Sequence, residues 1–174
     1  MDNQMMRDDE YQLIVDAILS NEDFSEPMKA MKHHNGTRLD HSLKVSYYSY
    51  KIAKALKLDY ADVARGGLLH DFYLESVNEQ ENIKEKVLLY TLNHPKDALE
   101  NAQSLFPVSS KEEDIIRTHM FPLDVKLPRY AESWVVNLVD TYVSTVEFGQ
   151  KFGKQLTYAA NFAVIFALNF VRLG

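Results

Sequence analysis

Apolar residues recur along this chain at spacings of three and four, and few segments alternate polar and apolar at period two, so the pattern predicts an all-α protein. A first helix is expected near Asp9–Ser20 and a second near Ser25–Lys32, leading into the turn His34-Asn35-Gly36. Thr37 and Asp40 have capping-box spacing and open a helix to about Lys57. Asp59 and Asp62 make a similar start for the next, which runs into Gly66-Gly67-Leu68-Leu69-His70-Asp71. A shorter helix is expected over Glu81–Leu92. Pro95 is placed at the first turn of a further helix, with His94 just before it, and Pro107 closes that helix. Ser110 with Glu113 caps another, ending near His119, and the run from Arg129 to Phe148 is helical in period. The apolar run Leu156–Val171 is the last helix. No repeat, low-complexity tract or Pro/Gly-rich linker divides the chain. One domain over residues 1–174 is therefore expected, with its core at 37–147, and helices 9–32 and 156–171 packing on it.

The informative positions are polar residues on faces that ought to be apolar. In the helix from Thr37, the stripe Val45, Tyr48, Ile52 and Leu56 is extended by His41, which should point inward. Val63, Gly67 and His70 form one row of the next helix, and Ala64, Leu68 and Asp71 the adjacent one. His94 begins a row continued by Ala98, Ala102 and Leu105, and His119 follows Ile115 and Ile116. Asp140 shares its face with Val136, Val139 and Val143, where an unpaired carboxylate is costly to desolvate. Each residue alone has a plainer reading. A lone inward histidine is usually a hydrogen-bonded core residue, and Arg65 or Arg117 could neutralise Asp140. Together they place ligand types on five successive helices, separated by roughly 20–30 residues, about one helical hairpin each.

Composition narrows the chemistry. Cysteine is absent, so any metal must be held by histidine and carboxylate, a donor set that suits Fe, Mn, Zn, Co or Ni better than Mg or Ca alone. A net charge of −6 and a pI near 5.5 supply no basic field for nucleic acid, which is not expected as a partner. The N-terminus lacks the basic patch and apolar run of a secretory signal, and a cytoplasmic location is expected. Leu156–Val171 approaches membrane-spanning length, but Asn161 and Asn169 interrupt it and no basic cluster flanks it. A buried core or homodimer helix is the expectation, and a membrane anchor is not.

The order His41, His70-Asp71, His94, His119, Asp140 resembles the binuclear branch of the HD phosphohydrolase superfamily, over about Thr37 to Val146. The segment ARGGLLHDF is similar to that superfamily's Gly-Leu-Leu-His-Asp helix, HPKDALENA to its next ligand helix, and IIRTHM and VVNLVDTY to its last two ligand segments. The resemblance implies a helical bundle whose core ligands are His41, His70, Asp71 and Asp140. His94 and His119 would add a second ion, with Asp71 as the bridge. In size and ligand order the bacterial symmetrical diadenosine tetraphosphate hydrolases look most similar. The cyclic-dinucleotide phosphodiesterases of the HD-GYP type need motifs this chain lacks, since Met120 follows His119 where they carry a second histidine. Leu74 stands where HDIGK-type members have a lysine.

The resemblance implies two divalent transition-metal ions, Fe or Mn first, with Ni, Co, Zn or Mg as alternatives. The reaction implied is hydrolysis of a phosphate ester or anhydride, in a nucleotide or other phosphorylated small molecule, through a metal-bridging hydroxide, with Asp71 and His70 at the reacting centre. Arg38, Lys44 and Lys96 are candidates to meet substrate phosphates because each lies near a ligand in sequence; a solvated surface charge is the plainer reading of each. His33 and His34 could reach the site as proton donors or simply end a helix. Tyr47, Tyr48, Tyr50, Phe72 and Tyr73 could stack a base, though aromatics at helical spacing are more often core. Two other readings stay open: a di-iron oxygenase, because some superfamily oxygenases share this ligand order, and a non-catalytic nucleotide-sensing module.

Overall fold

Short polar side chains start most of the helices by accepting from N–H groups that have no partner inside the helix. In the computed structural model, which describes residues 5–33, 36–73 and 83–152 of the chain, Asp8 caps α1 (Asp9–Leu19) and Asn21 caps α2 (Glu22–Ala30). The second helix therefore begins earlier than Ser25 and stops before Lys32, because Asn21 offers a cap that Ser25 does not. Lys32 instead enters a two-stranded antiparallel ribbon, β1 (Lys32–His33) with β2 (Gly36–Thr37), in which Lys32 faces Thr37 and His33 faces Gly36. Thr37 and Asp40 form a reciprocal capping box at the start of α3 (Arg38–Ala55), and Asp59 caps α4 (Tyr60–Leu69).

Three further expectations are corrected. Residues 83–105 form one helix, α5 (Ile83–Leu105), with Pro95 in its interior instead of at its first turn. A proline there forfeits one backbone hydrogen bond, roughly 3 kcal/mol by helix propensity, and burial of Ala98, Leu99 and Ala102 on the same helix offsets it. The cap of α6 (Ser110–Thr118) is Ser109 with Glu112, one residue before the expected pair. The last described helix, α7 (Ala131–Phe152), starts two residues after Arg129 and runs beyond Phe148. The fold is all-α, the ribbon being its single departure among the described residues.

Helices α3 and α4 pair most extensively and are flanked by two apolar clusters. On one side Tyr11, Ile18, Phe24 and Met28 of α1 and α2 meet Leu43, Tyr47, Tyr50, Leu68, Phe72 and Leu99. On the other, Val136, Val139 and Val143 of α7 meet Val45, Ala53, Val63 and Ile115. The stripe expected on α3 is wrong in part. Val45 is buried, but Tyr48, Ile52 and Leu56 are exposed, and the helix turns Ser42, Ser46, Ser49 and Ala53 inward. Small residues are needed there because α4 comes very close. A Cβ added at Gly67 would stand 3.0 Å from the Cα of Ser46. Hydroxyls tie the contact together: Tyr11 donates to Ser46 Oγ at 2.8 Å, and Ser46 donates to the Ala64 carbonyl at 2.6 Å.

Among the described residues no helix is long and apolar enough to cross a membrane. The expected helix 156–171 lies outside the described residues.

Candidate metal centre

Five helices deliver six ligand-type side chains to one end of the α3–α4 pair. His41 lies in the first turns of α3, just after the capping box that fixes where the helix starts. His70 is the C-cap of α4, with Asp71 next to it, and His119 is the C-cap of α6. Both cap histidines use the same device. His70 Nδ1–H donates to the Gly67 carbonyl and His119 Nδ1–H to the Ile116 carbonyl, each at 2.8 Å. Each ring thus satisfies a carbonyl that the helix end leaves open. With that proton on Nδ1, Nε2 is the nitrogen each ring presents to the centre. Asn137 of α7 holds the end of α6 by donating to the carbonyls of His119 and Phe121, at 2.6 and 2.7 Å.

The convergence is tight. His41 Nε2 is 3.0 Å from Asp140 Oδ1, and His70 Nε2 is 3.6 Å from the same oxygen. Asp71 faces two ways: Oδ2 lies 3.8 Å from His70 Nε2, while Oδ1 lies 3.4 Å from His94 Nε2 and 3.7 Å from His119 Nε2. His94 Nε2 and His119 Nε2 are 2.9 Å apart. Among the described residues, three triads have donor atoms close enough to share an ion: His41, His70, Asp71; His70, His119, Asp140; and Asp71, His94, His119.

The residues present fit a cation. His70 is fully buried and its Nε2 has no hydrogen-bond partner; burial opposes charge there, but the neighbouring Asp71 and Asp140 outweigh it and raise the ring's pKa, so a positive charge, a proton or a metal ion, belongs at that atom. His119 puts a second lone pair against His94. The plainer reading of Asp140 fails, because Arg65 is engaged by Glu112 and the Pro107 carbonyl, and Arg117 by Glu113 at 3.5 Å.

The electrostatics report the same crowding. Burial opposes charge on His41, but its hydrogen bonds with Asp140 and Glu147 outweigh that and push it up to about 10. Burial, with the neighbouring His70 and His94, pulls His119 down to about 4. Asp71 and Asp140 are held below the usual carboxylate range although burial works the other way. The rings of His70, His119 and His94 act on Asp71, and His41 and His70 act on Asp140.

The other sequence candidates fall differently. Arg38 is buried, with its guanidinium 3.8 Å from the Tyr73 ring centroid and Nη1 donating to the Tyr73 carbonyl at 2.6 Å. Lys44 Nζ donates to Glu147 Oε1 at 2.7 Å. Lys96 is exposed beside Glu100 on the solvent side of α5. His34 and Leu74 lie outside the described residues. Tyr47, Tyr50 and Phe72 are core, Tyr48 is exposed, and the half-buried Tyr73 ring lies 4.8 Å from that of His94. Glu147 and Asn137 escaped the sequence reading. Glu147 was open to it, since it sits two turns beyond Asp140 on the face already traced through Val143. Asn137 gave no signal, because its partners are carbonyls of another element.

A family model described as HD domain matches residues 38–145, a span that holds all six converging side chains. No curated protein and no solved structure matches the chain.

Proposed function

The chain belongs to the HD-domain family, and on that premise we propose that it is a metal-dependent phosphohydrolase whose ions are held by His41, His70, Asp71, His94, His119 and Asp140. The observation that carries this reading is the Nε2 of His70, which no hydrogen bond satisfies and which is buried between two carboxylates that neither Arg65 nor Arg117 meets. Asp71 would serve both ions, because its two oxygens face opposite halves of the cluster: His70 on one side, His94 and His119 on the other. A nucleotide or another phosphorylated small molecule is the substrate class.

Divalent transition ions held there, iron or manganese first, supply Lewis-acid activation of water and of a phosphoryl oxygen. The chain's own residues do the rest. The carbonyl-bound Nδ1–H groups of His70 and His119 leave Nε2 as the nitrogen aimed inward, so neither ring has to reorient. Burial of the ligands keeps bulk water from competing for them.

The test is elemental analysis of metal-replete protein, with assays on dinucleoside polyphosphates, nucleotides and cyclic dinucleotides. Wild type should retain two ions per chain and hydrolyse a phosphate ester or anhydride bond in at least one of these substrates without oxygen. Asp71→Ala should lose both metal retention and turnover, and His119→Ala should lose one ion. At most one ion in wild type ends the binuclear reading, and turnover that depends on oxygen and ferrous iron replaces hydrolysis with oxidation.

A further inference from the structure

Glu147 lies just outside the matched family span, yet its carboxylate is buried in the second layer of the centre. Its Oε2 is 3.0 Å from His41 Nδ1 and its Oε1 is 2.7 Å from Lys44 Nζ. We propose that Glu147, clamped by Lys44, is a positioning residue that keeps the proton of His41 on Nδ1 and so turns Nε2 toward the ions. The inference rests on the metal reading above and concerns how one ligand is held.

Three of the four ligand histidines, His41, His70 and His119, solve one problem in two ways. A metal-ligating imidazole needs an acceptor for its other ring N–H. His70 and His119 sit at C-terminal helix ends, where carbonyls are open, and each takes one from its own helix. His41 sits near the N-terminus of α3, where the carbonyls are already engaged by N–H groups one turn on. No backbone acceptor is at hand, and a side chain must serve. α7 supplies it from the same face that carries Asp140, two turns earlier. Because the two ring nitrogens point to opposite sides of an imidazole, Glu147 lies across the ring from Asp140 and acts through His41.

Lys44 finishes the arrangement. It is half exposed, and it occupies the carboxylate oxygen that His41 leaves free. A carboxylate held at both oxygens cannot rotate away from the ring. This gives Lys44, one of the candidates to meet substrate phosphates, a supporting role.

Titration of the metal-free protein with Mn²⁺ or Zn²⁺ against a competing chelator, in wild type and three variants, tests the proposal. Glu147→Ala should weaken binding by roughly 10–100-fold, the range typical of lost outer-sphere partners. Glu147→Gln, whose amide oxygen can still accept from Nδ1–H, should recover most of that loss. Lys44→Met should cost at most about fivefold, as an ion pair with one exposed partner does. Long-range proton–nitrogen spectra of the Zn²⁺-loaded wild type should show His41 protonated on Nδ1, a readout that remains if Glu147→Ala does not fold. Folded Glu147→Ala with wild-type affinity, or a His41 proton on Nε2, overturns the proposal and leaves the metal reading standing. A wild type that takes up no ion removes both.

Discussion

Asp114 shows how much one buried carboxylate can organise away from the proposed ligands. It projects from α6 and accepts from Arg129 N–H and Nε–H, both at 2.9 Å, and from Ser133 Oγ at 2.7 Å, gathering the residues that begin α7. Burial opposes its charge, but Ser133 and Arg129 more than compensate and hold it below its ordinary value of 3.8. A depressed folded-state pKa gives stability that is present above 3.8 and is lost as pH falls through the folded value. Asp114→Asn should therefore be less stable by roughly 1–3 kcal/mol at pH 7 in denaturant titrations, with the difference shrinking below about pH 4. A pH-independent difference would mean that packing, and not charge, makes this contribution.

At the scale of elements, the crossing of α3 and α4 sets the distance between His41 and the His70-Asp71 pair. Gly67→Ala would drive a methyl to 3.0 Å from backbone, which cannot swing aside as a flexible side-chain end would. We expect a loss of roughly 1–3 kcal/mol and weaker metal uptake, checked by thermal unfolding and elemental analysis; unchanged values would show that the crossing has slack. The same contact explains what was legible. Caps at Thr37 and Asp59 could be read because capping is settled within one turn. The buried face of α3 could not, because a search for apolar residues picks Tyr48, Ile52 and Leu56, whereas close approach selects Ser42, Ser46 and Ser49. Pro95 misled for a related reason, since its penalty is local and the burial that outweighs it comes from other helices. The six converging side chains were visible through helical periodicity, and Glu147 was missed because the traced face was stopped at Val143.

For the whole molecule, a centre linking five helices would tie the proposed ion binding to folding. An ion that binds the folded chain alone stabilises it by about 2.7 kcal/mol at a hundredfold excess over its dissociation constant. Saturating Mn²⁺ should thus raise the unfolding temperature by several degrees, and a chelator should reverse the rise. An unfolding temperature indifferent to both would mean that the buried imidazoles are compensated by protons alone. The apolar clusters on either side of α3 and α4 contain none of the six residues, so the bundle should persist in the chelated state.

His70 and His119 each finish the helix that carries them, and this confounds the obvious experiment. Replacing either ring removes a proposed metal ligand and also unties the last turn of its own helix, so lost activity alone has two explanations. Hydrogen exchange at the ends of α4 and α6 separates them, since ion uptake by the intact protein should slow exchange there, whereas the substituted chain should fray at one end only.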